Sequence, residues 1–464
     1  MYLGIDFGTS NTAAAIIDES GKLSVLPLDA SLSDSRVLRT MLYVERDGDI
    51  HVGSQAVSQY RKQNVGRSPR FSKVYIGTID IELGELLAKG YDLKGGAVLV
   101  DVFSDVDADA PGRLLHALKS PLATDYEGTK LFGNDYSLEA LIAEFLSRAR
   151  VRIVELTGRD VKHAVLGRPV NFASATNEAD NERAQSRLEQ AAKLAGFDEI
   201  VFEREPIAAS LAFGLQHTIK ENAHIFVFDF GGGTLDVAVV RLDKGAQTVL
   251  ATGGVGIAGD HFDQTLFKRA LLKWFGSEVK WGAQRLDFPS HILSALGDWQ
   301  DIALLSNAKT LGFIREAQKN CDDPIRLLAL EDLIAKGHGY DVYARVEEAK
   351  TNLSSERFVT IAYEAGAISI WQPITRAQFE SFIAQERRAI ESMIRDTLQR
   401  ADIRAEQIEY VVRTGGSSAI PCFIDLLTWI FGREKIVEQD LFTGVASGLA
   451  VKARELGMKN MMSR

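Results

Sequence analysis

The feature that most constrains this chain is a repeat. Tyr2–Ile17 and Ile225–Val240 each read as a short apolar strand, an Asp-Phe-Gly, three or four small residues and a second apolar strand. A strand that ends in an acid and turns through glycine and hydroxyl residues is a hairpin with a polar tip. Two copies far apart in the chain imply a duplicated α/β domain with a cleft between the halves. The length of 464 residues fits that division, being too great for one ordinary core and enough for two to four folding units.

The intervening segments agree. Ser137 caps an expected helix whose Leu138, Leu141, Ile142, Phe145, Leu146 and Ala149 share one face, with Gly158 past its end. A strand at His163–Pro169, a polar helix ending at Gly196 and a strand at Glu199–Glu205 follow, and this alternation implies parallel strands buried under helices. Beyond the second hairpin the pattern predicts a strand at Gln247–Thr252, a helix from Asp263 to Phe275, and a long helix at Arg376–Arg400. A strand at Tyr410–Thr414 and two further helices close the chain. Gly276–Tyr343 carries few periodic signals and reads as an irregular insertion. The expected division is lobe I at 1–205, with an outer subdomain at about 38–116, and lobe II at 206–464, with an enlarged outer subdomain at about 262–350. With no Pro/Gly/Ser-rich linker between them, the lobes are expected to pack together.

Composition narrows the function. A net charge of −10 argues against a nucleic-acid surface spread over the molecule. The two cysteines, Cys321 and Cys422, form no disulfide framework, which points to a reducing compartment. Asp6 interrupts the first apolar stretch, so no leader is read, and no apolar run is long enough to span a bilayer. A cytoplasmic monomer, with no membrane and no nucleic-acid partner, is the expectation. Asp105–Asp109 looks like the start of a calcium loop, but Ala110 and His116 stand where glycine and glutamate are required, and it reads as a solvated acidic loop. Histidines are scattered, and neither a zinc motif, a Walker A sequence nor a nucleophile elbow occurs. Trp429–Phe431 reads as helix core.

A phosphate chain needs close backbone N–H groups and a turn that tolerates positive φ, and Gly8 and Gly231, Gly232 and Gly233 are read as supplying both. Thr9, Ser10, Asn11 and Thr234 add short donors, and Asp6 and Asp229 at strand ends would hold Mg²⁺ through waters. Both tips fall beyond the carboxyl ends of strands, where open α/β sheets bind ligands.

Gly4–Asn11 and Phe228–Asp236 resemble the two phosphate motifs of DnaK-type heat-shock chaperones, and Glu203–Gly214 resembles that family's connecting motif. His51–Ala56, Glu347–Ser354 and Thr414–Pro421 are also similar, in the family's order, over nearly the whole chain. The resemblance is to the short, YegD-like members. It implies the actin-like ATPase fold, two ribonuclease-H-like lobes around a nucleotide cleft, with ATP/ADP, Mg²⁺ and K⁺ as cofactors and a protein client or partner. By the same resemblance Glu205 positions an attacking water, Lys119 lies near the γ-phosphate with Thr234, and Asp6 and Asp229 complete the catalytic group. Gly259 lies near the phosphates, Glu347, Lys350 and Ser354 meet the adenosine from one helix face, and Gly415, Gly416 and Ser417 pass beneath sugar and base.

The chain also departs from the family. Ala419 stands where an arginine usually meets the adenine, and Arg183 and Arg187 are out of register with the arginine that couples nucleotide to peptide binding. No peptide clamp is expected after Val445–Ala450. The reading is a slow, chaperone-like ATP switch. A small-molecule kinase of the same fold and a nucleotide-regulated assembly protein are the alternatives, and no sugar-kinase signature is found.

Overall fold

The computed structural model of the chain describes residues 2–81, 98–243 and 246–462. In the first repeat β1 (Tyr2–Phe7) pairs antiparallel with β2 (Asn11–Ile17), from Tyr2↔Ile17 to Phe7↔Thr12. The other edge of β1 pairs in parallel with β3 (His163–Arg168), which is parallel to β4 (Glu199–Arg204). The short strands Leu23–Val25 and Val37–Arg39 lie outside β2. In the second repeat β5 (Ala223–Phe230) pairs antiparallel with β6 (Leu235–Asp243), which pairs with β7 (Ala246–Val255). On its other edge β5 is parallel to β8 (Tyr410–Thr414), itself parallel to Ile436–Glu438.

Read outward from β1 and from β5, the two sheets have the same order: antiparallel strands on one side, two parallel strands on the other. The repeated hairpin is therefore the centre of a repeated sheet, and the topology is that of the expected actin-like fold. Strand β5 is buried along nearly its whole length, as a strand covered on both faces must be.

Helix α1 (Leu138–Thr157) forms as its capping pattern requires. The Ser137 side chain accepts from the Ala140 N–H, and Gly158 ends the helix at φ 65°. Its apolar face packs with Phe7 and Leu166 in the core of lobe I. The lobes are joined by two helices, α2 (Glu205–Gln216) and the last one, Gly444–Met462. The first packs on β5 and β6 and the second on β1 and β2, so each lobe's sheet is covered by a helix that follows the other lobe's last strand. Val165, Ala208, Phe213, Val227, Val412 and Leu449 form one apolar cluster across the junction. A Cβ on Gly448 would lie 1.7 Å from the Ala208 carbonyl oxygen, and one on Gly4 would lie 2.3 Å from the Ala450 nitrogen. Glycine is required at both positions for close approach.

Lobe II departs from the sequence reading in three places. The helix expected from Asp263 begins earlier, as α3 (Gly259–Leu266), and continues through a π turn, Phe267–Leu271, and a 3₁₀ turn, Leu272–Phe275. The helix expected at Arg376–Arg400 is two, Arg376–Phe382 and Ala384–Arg400, the first started by a Thr375–Gln378 capping box. Gly276–Tyr343 is helical, with Ser290–Ala295, Trp299–Leu304, Ala308–Gln318 and Pro324–Ala335. Side chains of Asp298, Asn307 and Asp323 cap the last three of these helices. The first two, of six residues each, span too few turns to give a periodic signal.

In lobe I, Met41–Glu45, Ile50–Val52 and Gly112–His116 form a small outer sheet beside the helix Gly53–Asn64. Part of the expected 38–116 subdomain lies outside the described residues. Of the expected acidic loop at Asp105–Asp109, the first three residues end a strand, Val98–Asp107, paired with Phe71–Ile81, and the last two form a turn; Asp107 is ion-paired with Arg67. Trp429 is 65% exposed under the Arg395 guanidinium, so Phe431 alone of the expected Trp429–Phe431 pair of rings is core.

Gly448→Ala is expected to force the two junction helices apart at a cost of about 1–3 kcal/mol. A lower midpoint in thermal unfolding, with far-UV circular dichroism unchanged at 25 °C, is the readout.

Candidate functional site

The two hairpin tips meet across the cleft. In the first, the Gly8 N–H donates to the Asn11 carbonyl (3.0 Å), and Thr40 braces the turn by donating from Oγ1 to the Gly8 oxygen and from its N–H to the Ser10 oxygen, each at 2.9 Å. In the second, the Gly231 N–H donates to the Thr234 carbonyl (3.1 Å). None of Gly8, Gly231, Gly232 or Gly233 has a positive φ. Their glycines answer a different need. A Cβ would lie 2.3 Å from the Asn11 oxygen at Gly8, 1.9 Å from Ser10 Oγ at Gly232 and 2.2 Å from Thr9 Oγ1 at Gly233. Gly8 is needed for the tightness of its own turn, and Gly232 and Gly233 for the approach of the other lobe's hydroxyls, whereas Gly231 has ordinary room; none is left-handed, which corrects that expectation.

Behind the tips lies a buried ion pair. Lys119 and Glu205 are 5% and 8% exposed, and Lys119 Nζ donates to Glu205 Oε1 at 2.5 Å. Glu205 occupies the first turn of α2, just before Pro206, rather than the end of β4. Lys119 precedes the 3₁₀ turn Ser120–Ala123. Asp6 and Asp229, each one residue from the end of its strand, face this pair together with Asp236, which stands opposite Asp229 in the β5–β6 register. Asp236 Oδ1 accepts from the Val170 N–H (2.8 Å), just past Pro169.

These carboxyl groups are electrostatically crowded. Desolvation and the Glu205 charge push Asp6 up to about 7 against the pull of Lys119. Asp236 is pushed up to about 7 by the same two causes, and Asp229 is raised well above the ordinary carboxylate range by burial, Glu205 and Asp6. Burial lowers Lys119, but Glu205 and Asp6 raise it by more, so it stays an ammonium.

The remaining expected residues gather along the second lobe. The first two N–H groups of α3, Gly259 and Asp260, donate to the Gly231 and Gly232 carbonyls at 3.1 and 2.9 Å. The hairpin thus supplies the acceptors that a capping side chain would otherwise give, and that is why no cap signalled this helix in the sequence. Ser417 Oγ donates to the Gly231 oxygen (2.8 Å), and Gly415, at φ 79°, packs against Phe230, leaving Gly416 exposed. Helix α4 (Gly339–Asn352) carries Glu347 and Lys350, but it ends before Ser354, which lies in the following turn. Lys350 Nζ donates to Asp263 Oδ2 (2.6 Å) and to the Gly259 oxygen (3.0 Å). Glu347 accepts from Arg39 of the other lobe (3.3 Å), and Ser10 Oγ donates to Asp260 Oδ1 (3.0 Å), also across the cleft.

Sequence reasoning missed Asp236, Asp260 and Asp263. Asp236 closes the motif that begins at Asp229, and its place within a strand of buried residues was the available signal. Among the described residues no group of three or more acidic, histidine or cysteine side chains is arranged as a metal cage. The all-oxygen set at Asp6 and Asp229, with acid in excess of the Lys119 charge, does fit a hard divalent cation held through waters.

The crowding fixes a pH dependence. An acid whose folded pKa exceeds its unfolded value holds its proton more tightly in the native state, so the stability it contributes is present at low pH and lost as pH rises. For Asp6 and Asp236 that window runs from the unfolded value near 3.8 to about 7. Asp236→Asn is therefore expected to flatten the fall of the thermal midpoint between pH 5 and 8 in metal-free buffer. Identical pH slopes for the two proteins would contradict the crowding.

No helix among the described residues is long and apolar enough to cross a membrane. The chain is 24% identical to the chaperone protein DnaK of Thermosipho melanesiensis over 97% of its own length and 58% of that protein's. Against the chaperone protein dnaK of Gracilaria tenuistipitata var. liui it is 26% identical, over 97% of this chain and 60% of the relative. Against the chaperone protein HscA homolog of Burkholderia cenocepacia it is 27% identical, over 98% and 58%. The chain thus spans about three fifths of the length of these relatives. A family model described as Hsp70 protein matches residues 119–285 and 341–461, more than half of the chain and inclusive of Lys119, Glu205, the second hairpin and Gly415–Ser417. The chain belongs to the Hsp70 family.

Proposed function

We propose that the chain binds ATP with Mg²⁺ between the two hairpins and hydrolyses it slowly, as a chaperone-type nucleotide switch. The observation that carries this reading is the buried Lys119–Glu205 pair facing Asp6, Asp229 and Asp236 where the hairpins meet. Mg²⁺, held through waters by Asp6 and Asp229, would neutralise charge on the phosphate oxygens. The chain's own groups do the rest. Lys119 presents a desolvated ammonium to the γ-phosphate, where a fixed charge counts for most. Glu205 orients the attacking water. One of its oxygens is already committed to Lys119, which suits a positioning role and a slow turnover better than rapid proton removal. Thr9, Ser10, Asn11 and Thr234 offer hydroxyl, amide and backbone donors to the phosphates, and Ser10 exchanges its bond to Asp260 for one to the nucleotide.

The adenosine would lie toward Glu347, Lys350 and Ser354, with Gly259, Gly415, Gly416 and Ser417 beneath it. With Ala419 in place of an arginine, base selectivity rests on shape rather than stacking. Closure around ATP and relaxation after hydrolysis would shift the population of lobe arrangements. A protein client or partner reads that shift, K⁺ is a further cation of the site, and the working form is a cytoplasmic monomer.

Titration of Mg-ATP into wild type and Asp229→Ala, with phosphate release followed in parallel, tests the reading. Asp229→Ala is expected to weaken binding by about tenfold or more. Glu205→Gln is expected to keep binding and lower phosphate release by about a hundredfold. Unchanged binding in Asp229→Ala would remove the site. Absence of phosphate release from wild type with Mg²⁺ and K⁺ would remove the hydrolytic part and leave a binding protein.

A further inference from the structure

The strands Phe358–Ala365 and Ile368–Thr375 form a sheet of two, so each has an outer edge. The two edges are not alike. Hydrogen-bonded and non-bonded pairs alternate along an antiparallel ladder, and Pro373, which has no N–H, stands opposite Thr360. Pro373 thus faces the outer edge of its own strand, where its carbonyl accepts from Gln372 Nε2 (2.7 Å). That edge is closed to a further strand. On the other strand Phe358, Thr360, Ala362 and Glu364 turn their N–H and C=O outward, and none of these groups has a hydrogen-bond partner among the described residues. The register runs unbroken from Phe358↔Thr375 to Ala365↔Ile368, and this strand has none of the proline, lysine or bulge that blunts an edge. A groove of about 420 Å³ follows the open edge, with Val359–Glu364 as one wall and Arg345, Glu348, Ala349 and Asn352 of α4 as the other. These four lie on the opposite face of α4 from Glu347 and Lys350, and no residue of the nucleotide cleft lines the groove.

We propose that this edge takes up an extended peptide segment of a partner protein as a third, antiparallel strand. The segment carries β-branched or apolar residues at alternate positions, a basic residue at its start and an acidic one at its end. Main-chain bonds to Thr360, Ala362 and Glu364 supply the affinity, as in other strand additions beside a helix. The outer face of the sheet offers apolar surface to alternate side chains. Phe358 and Trp371 are 55% and 69% exposed there, and Trp371 stands opposite Ala362. Charge sets the direction. Arg357 precedes the strand and Glu364 lies near its far end, so an antiparallel segment begins beside the carboxylate and finishes beside the guanidinium. A second copy of the chain fits less well, because pairing the same two edges about a two-fold axis would set one α4 against the other.

The probe is the end-blocked peptide Lys-Val-Thr-Val-Thr-Glu, with Glu-Val-Thr-Val-Thr-Lys as the control of reversed charge order. Amide hydrogen exchange at Thr360, Ala362 and Glu364 is followed in the full chain, without nucleotide. These unpaired amides exchange fast, and saturating probe is expected to slow them at least about tenfold. The control is expected to bind about threefold more weakly, and equal binding of the two would overturn the antiparallel direction. Two further probes are N-methylated, one at both valines and the other at both threonines. Only one of these alternate sets points its N–H groups at the edge, so one probe is expected to lose all protection and the other to keep it. Ala362→Pro removes an outward donor and no bond to the neighbouring strand, and is expected to abolish binding with the fold retained. Equal effects of the two N-methylated probes, or unchanged protection in folded Ala362→Pro, would overturn the proposal. So would the same slowing on raising the chain's own concentration without probe, which would give the edge to a second copy.

Discussion

The contact on which this architecture turns is the Lys119–Glu205 ion pair. It joins a loop of lobe I to the first turn of the helix that leads into lobe II, and the acids of both hairpins face it. Two charges removed from water are a burden unless each keeps a partner, and loss of one partner from such a pair costs about 3–5 kcal/mol. Here the burden is increased by Asp6, Asp229 and Asp236, whose pKa values are raised first by burial and then by the charge of Glu205. A protein that folds around such a cluster holds an electrostatic deficit at one point of its cleft. Such an excess of acid suits a hard cation, whose charge would offset it.

Much of this was legible in the sequence because it was written twice. The hairpin repeat gave the lobes, and Ser137 and Gly158 bracketed α1 because capping is a local interaction. What escaped is tertiary. The helix α3 starts at Gly259 because carbonyls of Gly231 and Gly232 receive its first N–H groups, and a residue-by-residue search for caps cannot see an acceptor so far away in the chain. The positive φ expected at the tip glycines is absent, and Gly232 and Gly233 instead leave room for hydroxyls of the opposite lobe. Asp236 ended the second motif without a role of its own, and its importance shows only in its burial within a strand covered on both sides.

The same limits explain the reading of Gly276–Tyr343 as irregular. Its helices are short, and their apolar residues, among them Leu311, Ile314, Leu327, Leu330 and Leu333, are organised by the lobe II core they join rather than by a long stripe. Helices of this length are not stable alone, so their order is borrowed from that packing.

That borrowed order gives the outer end of the cleft its character. The Tyr60 hydroxyl donates to the Gly337 carbonyl (2.8 Å), the Gly66 N–H to the Lys336 carbonyl (2.8 Å), and Gln300 Nε2 to the His116 carbonyl (3.3 Å). Arg61 pairs with Asp341 at 2.6 Å and lies over the Tyr340 ring. At the inner end the lobes cannot slide freely, because Gly448 brings the last helix into contact with the Ala208 carbonyl. On the proposed switch, opening would pivot about the helix junction and part the outer contacts, several of which involve backbone carbonyls that water can satisfy in exchange. The exposed ion pair adds little by itself and less at high salt. An outer seam of exchangeable polar bonds, opposed to a tightly packed apolar hinge, is the arrangement in which a modest ligand energy can shift the population of open and closed forms.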